Sequence, residues 1–141
     1  GRVKLPGHCD DMPAAFAVAQ VAIIASTSAE TFGRTSIEAQ AMGCPVIVSD
    51  IGAAPETIIP ALPGKQDYTG WIVPCRDPGA IAERVAEALE LPPQQRAALG
   101  ARARRHAADK FSLSHMQRAT LSVYDELLGT RLAARFDEVT V

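Results

Sequence analysis

Two carboxylates, Glu30 and Glu38, stand eight positions apart within residues 26–56, STSAETFGRTSIEAQAMGCPVIVSDIGAAPE. Gly33 lies between them, just ahead of a segment that reads as a helix start. A residue without Cβ lets a ligand come close to the backbone. The N–H groups of Arg34, Thr35 and Ser36 at such a start carry the positive end of the helix dipole, which suits a diphosphate. The Thr35 and Ser36 hydroxyls would add donors. Glu38, one turn in, is placed to accept both hydroxyls of a ribose. The same residues, Thr35-Ser36-Ile37-Glu38, also fit a capping box in which Glu38 bonds back to the Thr35 N–H. Glu30 sits in a loop and reads either as a ligand contact or as a solvated acid. Phe32 is expected to anchor that loop in the core, and Arg34 to meet either a phosphate or water.

The elements around this stretch alternate. Val3 and Leu5 suggest a strand within residues 1–6, and Asp10 or Asp11 a cap for a helix over 12–20. Residues 21–25 and 46–48 are apolar runs of strand length, suited to burial on both faces of a parallel sheet. A helix over 34–42 separates them, stopped by Gly43-Cys44-Pro45. A short helical turn is expected at 56–59, a surface excursion at 60–70, and a strand at 71–73. Helices follow over 78–91 and 94–110. A third, capped by Ser112 or Ser114, carries a stripe of Met116, Thr120, Val123, Tyr124, Leu127 and Leu128 and ends at Gly129. Residues 129–141 form a weakly patterned tail.

Alternating strands and helices predict an α/β fold, a Rossmann-like parallel sheet with helices on both faces, plus a helical C-terminal segment. Ligands of such sheets sit beyond the carboxyl ends of the strands. The loops at 26–33 and 50–56 both follow a strand, so Glu30, Gly33 and Glu56 are expected on one edge.

The composition excludes several classes. The chain has 141 residues, 48% hydrophobic and 21% charged, which fits a soluble single domain with a real core. Residues 1–75 carry four Lys/Arg against seven Asp/Glu, and residues 76–141 ten against nine, so no region has the basic excess of a nucleic-acid binder. Cys9, Cys44 and Cys75 are odd in number and lack C-x-x-C spacing, which argues against a disulfide framework or zinc site and for a reducing, cytoplasmic setting. No signal peptide or membrane-length apolar run is present. No G-x4-G-K-S/T occurs, which excludes a P-loop NTPase. His8, His106 and His115 read as surface or packing residues. The basic run Arg96, Arg102, Arg104, Arg105 and Lys110 reads as a solvated face. Its alanine-rich helix lacks the bulky apolar face that peripheral membrane contact requires.

Taken in order, these segments resemble the C-terminal half of family 4, or group 1, glycosyltransferases of the GT-B fold. Glu30-x7-Glu38 is similar to the family's paired-glutamate motif, and residues 39–48, AQAMGCPVIV, continue it. Residues 51–56, IGAAPE, are similar to its G-G-x-P-E loop, with Gly52-Ala53 in place of the paired glycine. Residues 69–74, TGWIVP, resemble its T-G-x-L-V-P strand, and Phe111-Ser112 the F-S before its last helix. Residues 60–67 look like an insertion.

The resemblance implies a donor-binding unit over residues 1–128. Its donor-binding residues would be Glu30, Thr31, Phe32, Gly33, Arg34, Thr35 and Glu38. Glu30 would bond the donor sugar and is the candidate catalytic residue. The N–H groups of Gly33 to Thr35 would hold the diphosphate, and Glu38 the ribose. The base would lie around residues 5–8. It further implies retention of anomeric configuration, no metal or other cofactor, and an acceptor glycan, lipid or small molecule held by an N-terminal domain missing here. An upstream Arg and Lys of the family are missing too, so the chain alone is expected not to turn over. A non-catalytic nucleotide-sugar-binding or partner module is the alternative, and a related GT-B epimerase a third reading.

Overall fold

A computed structural model describes residues 2–139. Three parallel strands, β1 (Ala22–Ile24), β2 (Val46–Ser49) and β3 (Gly70–Val73), lie side by side in that order. Ala22 stands opposite Val46, and Val46 opposite Gly70. Side chains alternate along a strand, so β2 serves both faces. Val46 and Val48 pack with Phe16 of helix α1 (Met12–Val18) and Ala39 of helix α2 (Arg34–Ala41). Ile47 packs on the opposite face with Trp71 and Val73 of β3, Ala88 of helix α3 (Pro78–Glu90) and Leu99 of helix α4 (Pro93–Phe111). All four β2 residues are buried, as a central parallel strand requires.

Local chemistry sets the element ends. Asp11 accepts from the Ala14 N–H at 2.9 Å at the start of α1, and Asp77 accepts from the Ala80 N–H at 2.9 Å at the start of α3. Ser112 caps helix α5 (Leu113–Leu128), which ends on Gly129 in the left-handed region. The arginines of α4 are less solvated than their sequence suggests. Arg96 donates to the Ala88 and Leu89 carbonyls, both at 3.0 Å, and Arg104 to the Met42 carbonyl at 3.0 Å. They thereby satisfy the orphan carbonyls at the ends of α3 and α2. Arg102 donates to the Tyr68 carbonyl at 3.1 Å and lies over the Tyr68 ring. Burial pushes the Cys44 thiol up to about 11, so it serves as packing.

Three expectations are corrected, for the first strand, for β1 and for the tail. No strand forms around Val3 and Leu5, which are 81% and 93% exposed; on the side of β1 away from β2 no described strand offers them a partner. For the same reason β1 is an edge strand, not one buried on both faces, and Ile23 is 47% exposed. The stripe on α5 stays largely uncovered, with Met116, Val123, Tyr124, Leu127 and Leu128 all exposed. The tail is not featureless: helix α6 (Leu132–Val139) folds back along α5. Asp125 accepts from Thr130 Oγ1 at 2.7 Å and from the N–H groups of Leu132 and Ala133 at 2.6 and 3.0 Å, and Arg118 pairs with Asp137. The Thr130 bond, with those two N–H groups, holds the Asp125 carboxyl below its ordinary range against a smaller opposing effect of burial. A depressed carboxyl pKa contributes stability above the unfolded value, and that contribution is lost as pH falls through the folded one.

The sheet assignment predicts a contrast within one register pair. Ile47→Ala should cost about 2–5 kcal/mol as a core truncation, whereas Ile23→Ala on the open edge should cost under about 1 kcal/mol. Urea denaturation of both variants checks this, and equal losses would contradict the assignment of β1 as the exposed edge.

Candidate functional site

The site is built on the carboxyl edge of the sheet. The loop leaving β1 carries Ser26 and Glu30, and the loop leaving β2 carries Gly52 and Ala53. The two are in direct contact. The Ala53 N–H donates to the Glu30 carbonyl at 3.1 Å. Gly52 has φ +64°, and a Cβ there would stand 2.6 Å from the Glu30 nitrogen and 2.7 Å from its carbonyl oxygen. Gly33 has φ +77°, and a Cβ there would reach Ala54 Cα and the Thr57 methyl at 3.4 Å each. The first loop therefore lies across the second, and the 3-10 turn Ala54–Thr57 carries Glu56, exposed, on the same edge.

Gly33 starts α2 two residues before a Thr35 cap would, and offers no side-chain cap. The capping box consequently does not form. Glu38 instead pairs with Arg34 at 3.1 Å on the surface, with side chains 47% and 80% exposed. The N–H groups of Gly33, Arg34 and Thr35 meet no acceptor among the described residues. Ser36 departs from expectation on both counts. Its N–H is bonded to the Gly33 carbonyl at 3.1 Å, and its hydroxyl is buried, 2.7 Å from Thr57 Oγ1. Thr35 and Thr31 are exposed. Phe32 is also not a core residue: it is 52% exposed and meets Phe111 edge to face, with centroids 6.2 Å apart.

Beneath α2 lies a polar knot that the sequence did not reveal. Thr57 Oγ1 is also 2.7 Å from the Ala54 carbonyl, and Gln40 Nε2 donates to the Thr57 carbonyl at 2.8 Å. His106 of α4 lies against the Thr57 main chain and against Phe111. Its pKa is lowered, chiefly by burial, so the ring is a neutral packing group. His8 pairs with Asp10, both highly exposed, and His115 is exposed. Two further contacts have no counterpart in any motif. Ser26 Oγ donates to Glu30 Oε1. Asp50 Oδ1 accepts from the Cys75 N–H at 2.7 Å, which ties the loop after β3 to the same edge. A recess of about 390 Å³ opens beside Glu38, lined by Met12, Pro13, Phe16, Ala41 and Met42. The irregular residues 5–8 are exposed. Among the described residues no three His, Cys, Asp or Glu side chains group as metal ligands, and no helix is long and apolar enough to cross a membrane.

Sequence and fold both match known proteins of one family. The sequence profile described as glycosyl transferases group 1 matches residues 1–106. The chain belongs to that family. It is 33% identical over 124 residues to D-inositol 3-phosphate glycosyltransferase 2 of Catenulispora acidiphila, covering 88% of this chain and 27% of that protein. It is 40% identical over 83 residues to a GDP-mannose-dependent monoacylated alpha-(1-6)-phosphatidylinositol monomannoside mannosyltransferase of Corynebacterium glutamicum, covering 59% of this chain and 20% of that protein. Among solved structures, a glycosyltransferase of Rickettsia africae superposes with TM-score 0.74 at 31% identity, over 89% of this chain and 32% of its own. HepE of Anabaena in complex with UDP superposes with TM-score 0.73 at 27% identity, over 86% and 32%. The chain thus spans about a quarter of the length of the curated relatives it matches, and its fold is that of a part of the C-terminal domain of a GT-B glycosyltransferase.

The loop contact predicts unequal glycine costs. Gly33→Ala meets ordinary contact distances and should cost about 1–2 kcal/mol for the left-handed backbone. Gly52→Ala adds a clash with the Glu30 main chain and should cost about 1–3 kcal/mol more. Denaturant melts of the two variants measure the difference; equal costs would show that the loops do not touch.

Proposed function

We propose that the chain forms the donor side of a glycosyltransferase site, binding a nucleoside-diphosphate sugar whose glycosyl group passes, with retention, to an acceptor held outside these residues. The observation that carries this reading is the set of N–H groups at Gly33, Arg34 and Thr35 that meet no acceptor among the described residues, with Glu30 on one side and Glu38 on the other. A diphosphate takes those N–H groups, where the helix dipole favours negative charge. Glu38 takes the ribose hydroxyls and Glu30 the hydroxyls of the sugar. The base enters the apolar recess beside Glu38, toward the exposed residues 5–8. The Arg34–Glu38 pair is a weak surface bond, worth about 0–1 kcal/mol. Its release turns Glu38 to the ribose and Arg34 to the phosphates.

As the sugar–oxygen bond to the diphosphate breaks, negative charge grows on the leaving oxygens beside the start of α2. A preorganised donor there typically contributes about 3–4 kcal/mol of barrier lowering. No step in this scheme uses a metal. HepE complexes with UDP and with UDP-glucose support the donor class, and the curated relatives support glycosyl transfer.

The ribose role predicts a specific split. Glu38→Gln should weaken nucleoside-diphosphate binding roughly 10- to 100-fold, the loss of bonds to a charged acceptor, while shifting stability by no more than about 0.5 kcal/mol. Calorimetric titration with UDP, GDP and ADP, beside thermal melts, tests it. Lost stability with unchanged affinity would assign Glu38 to the helix instead.

A further inference from the structure

We propose that Ser26 is the positioning residue of the donor-sugar carboxylate, holding one Glu30 oxygen so that the other faces the sugar; this rests on the donor-site reading above. Glu30 is held in two parts. Its main chain is fixed by the Ala53 N–H and by the close approach of Gly52. Its side chain is fixed by Ser26, four residues back, whose hydroxyl donates to Oε1.

Ser26 is itself anchored. It lies two residues beyond β1, is partly buried, and its main-chain carbonyl accepts the Cys75 thiol hydrogen at 3.6 Å. Cys75 is in turn fixed through its N–H by Asp50 Oδ1. The loops after all three strands therefore converge on the seryl group that sets the carboxylate. A glutamate in a loop has three rotatable side-chain bonds, and an unanchored one must be ordered in each binding event. A hydroxyl that takes one oxygen orders it beforehand, which is how a supporting residue raises the effectiveness of a contact group. An ionised carboxylate only accepts. With Oε1 occupied by Ser26, Oε2 retains its full capacity for sugar hydroxyls. Ser26 acts through Glu30 and is not a catalytic residue.

The inference separates sugar recognition from nucleotide recognition, and the test reads that separation. Ser26→Ala, Ser26→Thr and Glu30→Gln are made in the intact protein. Dissociation constants are measured for UDP with UDP-glucose and for GDP with GDP-mannose, and each variant is melted without ligand. Ser26→Ala should leave nucleoside-diphosphate affinity within about twofold and weaken the sugar-bearing ligand about five- to tenfold. Ser26→Thr, which keeps the hydroxyl, should restore it. Ser26→Ala should add little in a Glu30→Gln background, because coupled groups are not additive. Equal weakening of both ligands by Ser26→Ala, or weakening of neither, overturns the role of Ser26. If Glu30→Gln alters the ratio and Ser26→Ala does not, only this inference fails. If Glu30→Gln leaves the ratio unchanged, or the wild-type protein binds neither pair, the donor-site reading fails and this inference with it.

Discussion

The closeness of two loop backbones governs this molecule. Glu30 can stand beside the start of α2 only because Gly52 presents no side chain to it and Ala53 donates a hydrogen bond to its carbonyl. That contact fixes where the chain leaving β1 turns. The turn, through Gly33 in the left-handed region, sets the direction of α2 and leaves its first N–H groups without an acceptor among the described residues, Gly33 itself being buried and Arg34 and Thr35 exposed. Everything assigned to ligand binding follows from this one approach. A looser loop would scatter the carboxylate.

The contact is supported from below. Ser36, Gln40 and Thr57, all buried, exchange hydrogen bonds through the Gln40 Nε2 and the two hydroxyls, and His106 of α4 lies against the Thr57 main chain and the Phe111 ring. Buried polar groups are costly unless paired, so this knot ties α2 to the turn after β2 with little freedom to slide. The apolar clusters on the two sheet faces supply most of the stabilisation. The knot supplies the register between a helix and a loop that apolar contacts alone would leave less defined. Arg34 and Glu38, by contrast, are joined only by a surface pair, which a ligand can displace at small cost.

Much of the frame was legible because it rests on local rules. The apolar run of β2, the stop at Gly43-Cys44-Pro45, a cap at Asp10 or Asp11 and another at Ser112 or Ser114, and Gly129 as a terminator are statements about single residues and their neighbours. The strand at Val3 and Leu5 failed because pairing is not local: two apolar residues without a described neighbour strand have nothing to bond. α6 was missed because its first turn is capped by Asp125, a residue of the preceding helix. The S/T-x-x-E pattern at Thr35 was misleading for a geometric reason. With the helix starting at Gly33, Glu38 falls beyond the reach of the first turn and meets Arg34. The paired glutamates and the glycine between them were legible by spacing. Ser26, Cys75 and Asp50 were not, since no periodicity marks a loop hydroxyl that will meet a carboxylate after folding.

The central claim is that a nucleoside diphosphate binds at the start of α2. Amide chemical-shift mapping of the isotopically labelled intact protein, titrated with UDP, GDP and ADP, tests it most directly. The account predicts that at least one of them moves the backbone amides of Gly33, Arg34 and Thr35 first and furthest, with Ser36 little affected because its N–H is already bonded. Saturating shifts centred elsewhere, with residues 33–35 unmoved, would contradict it.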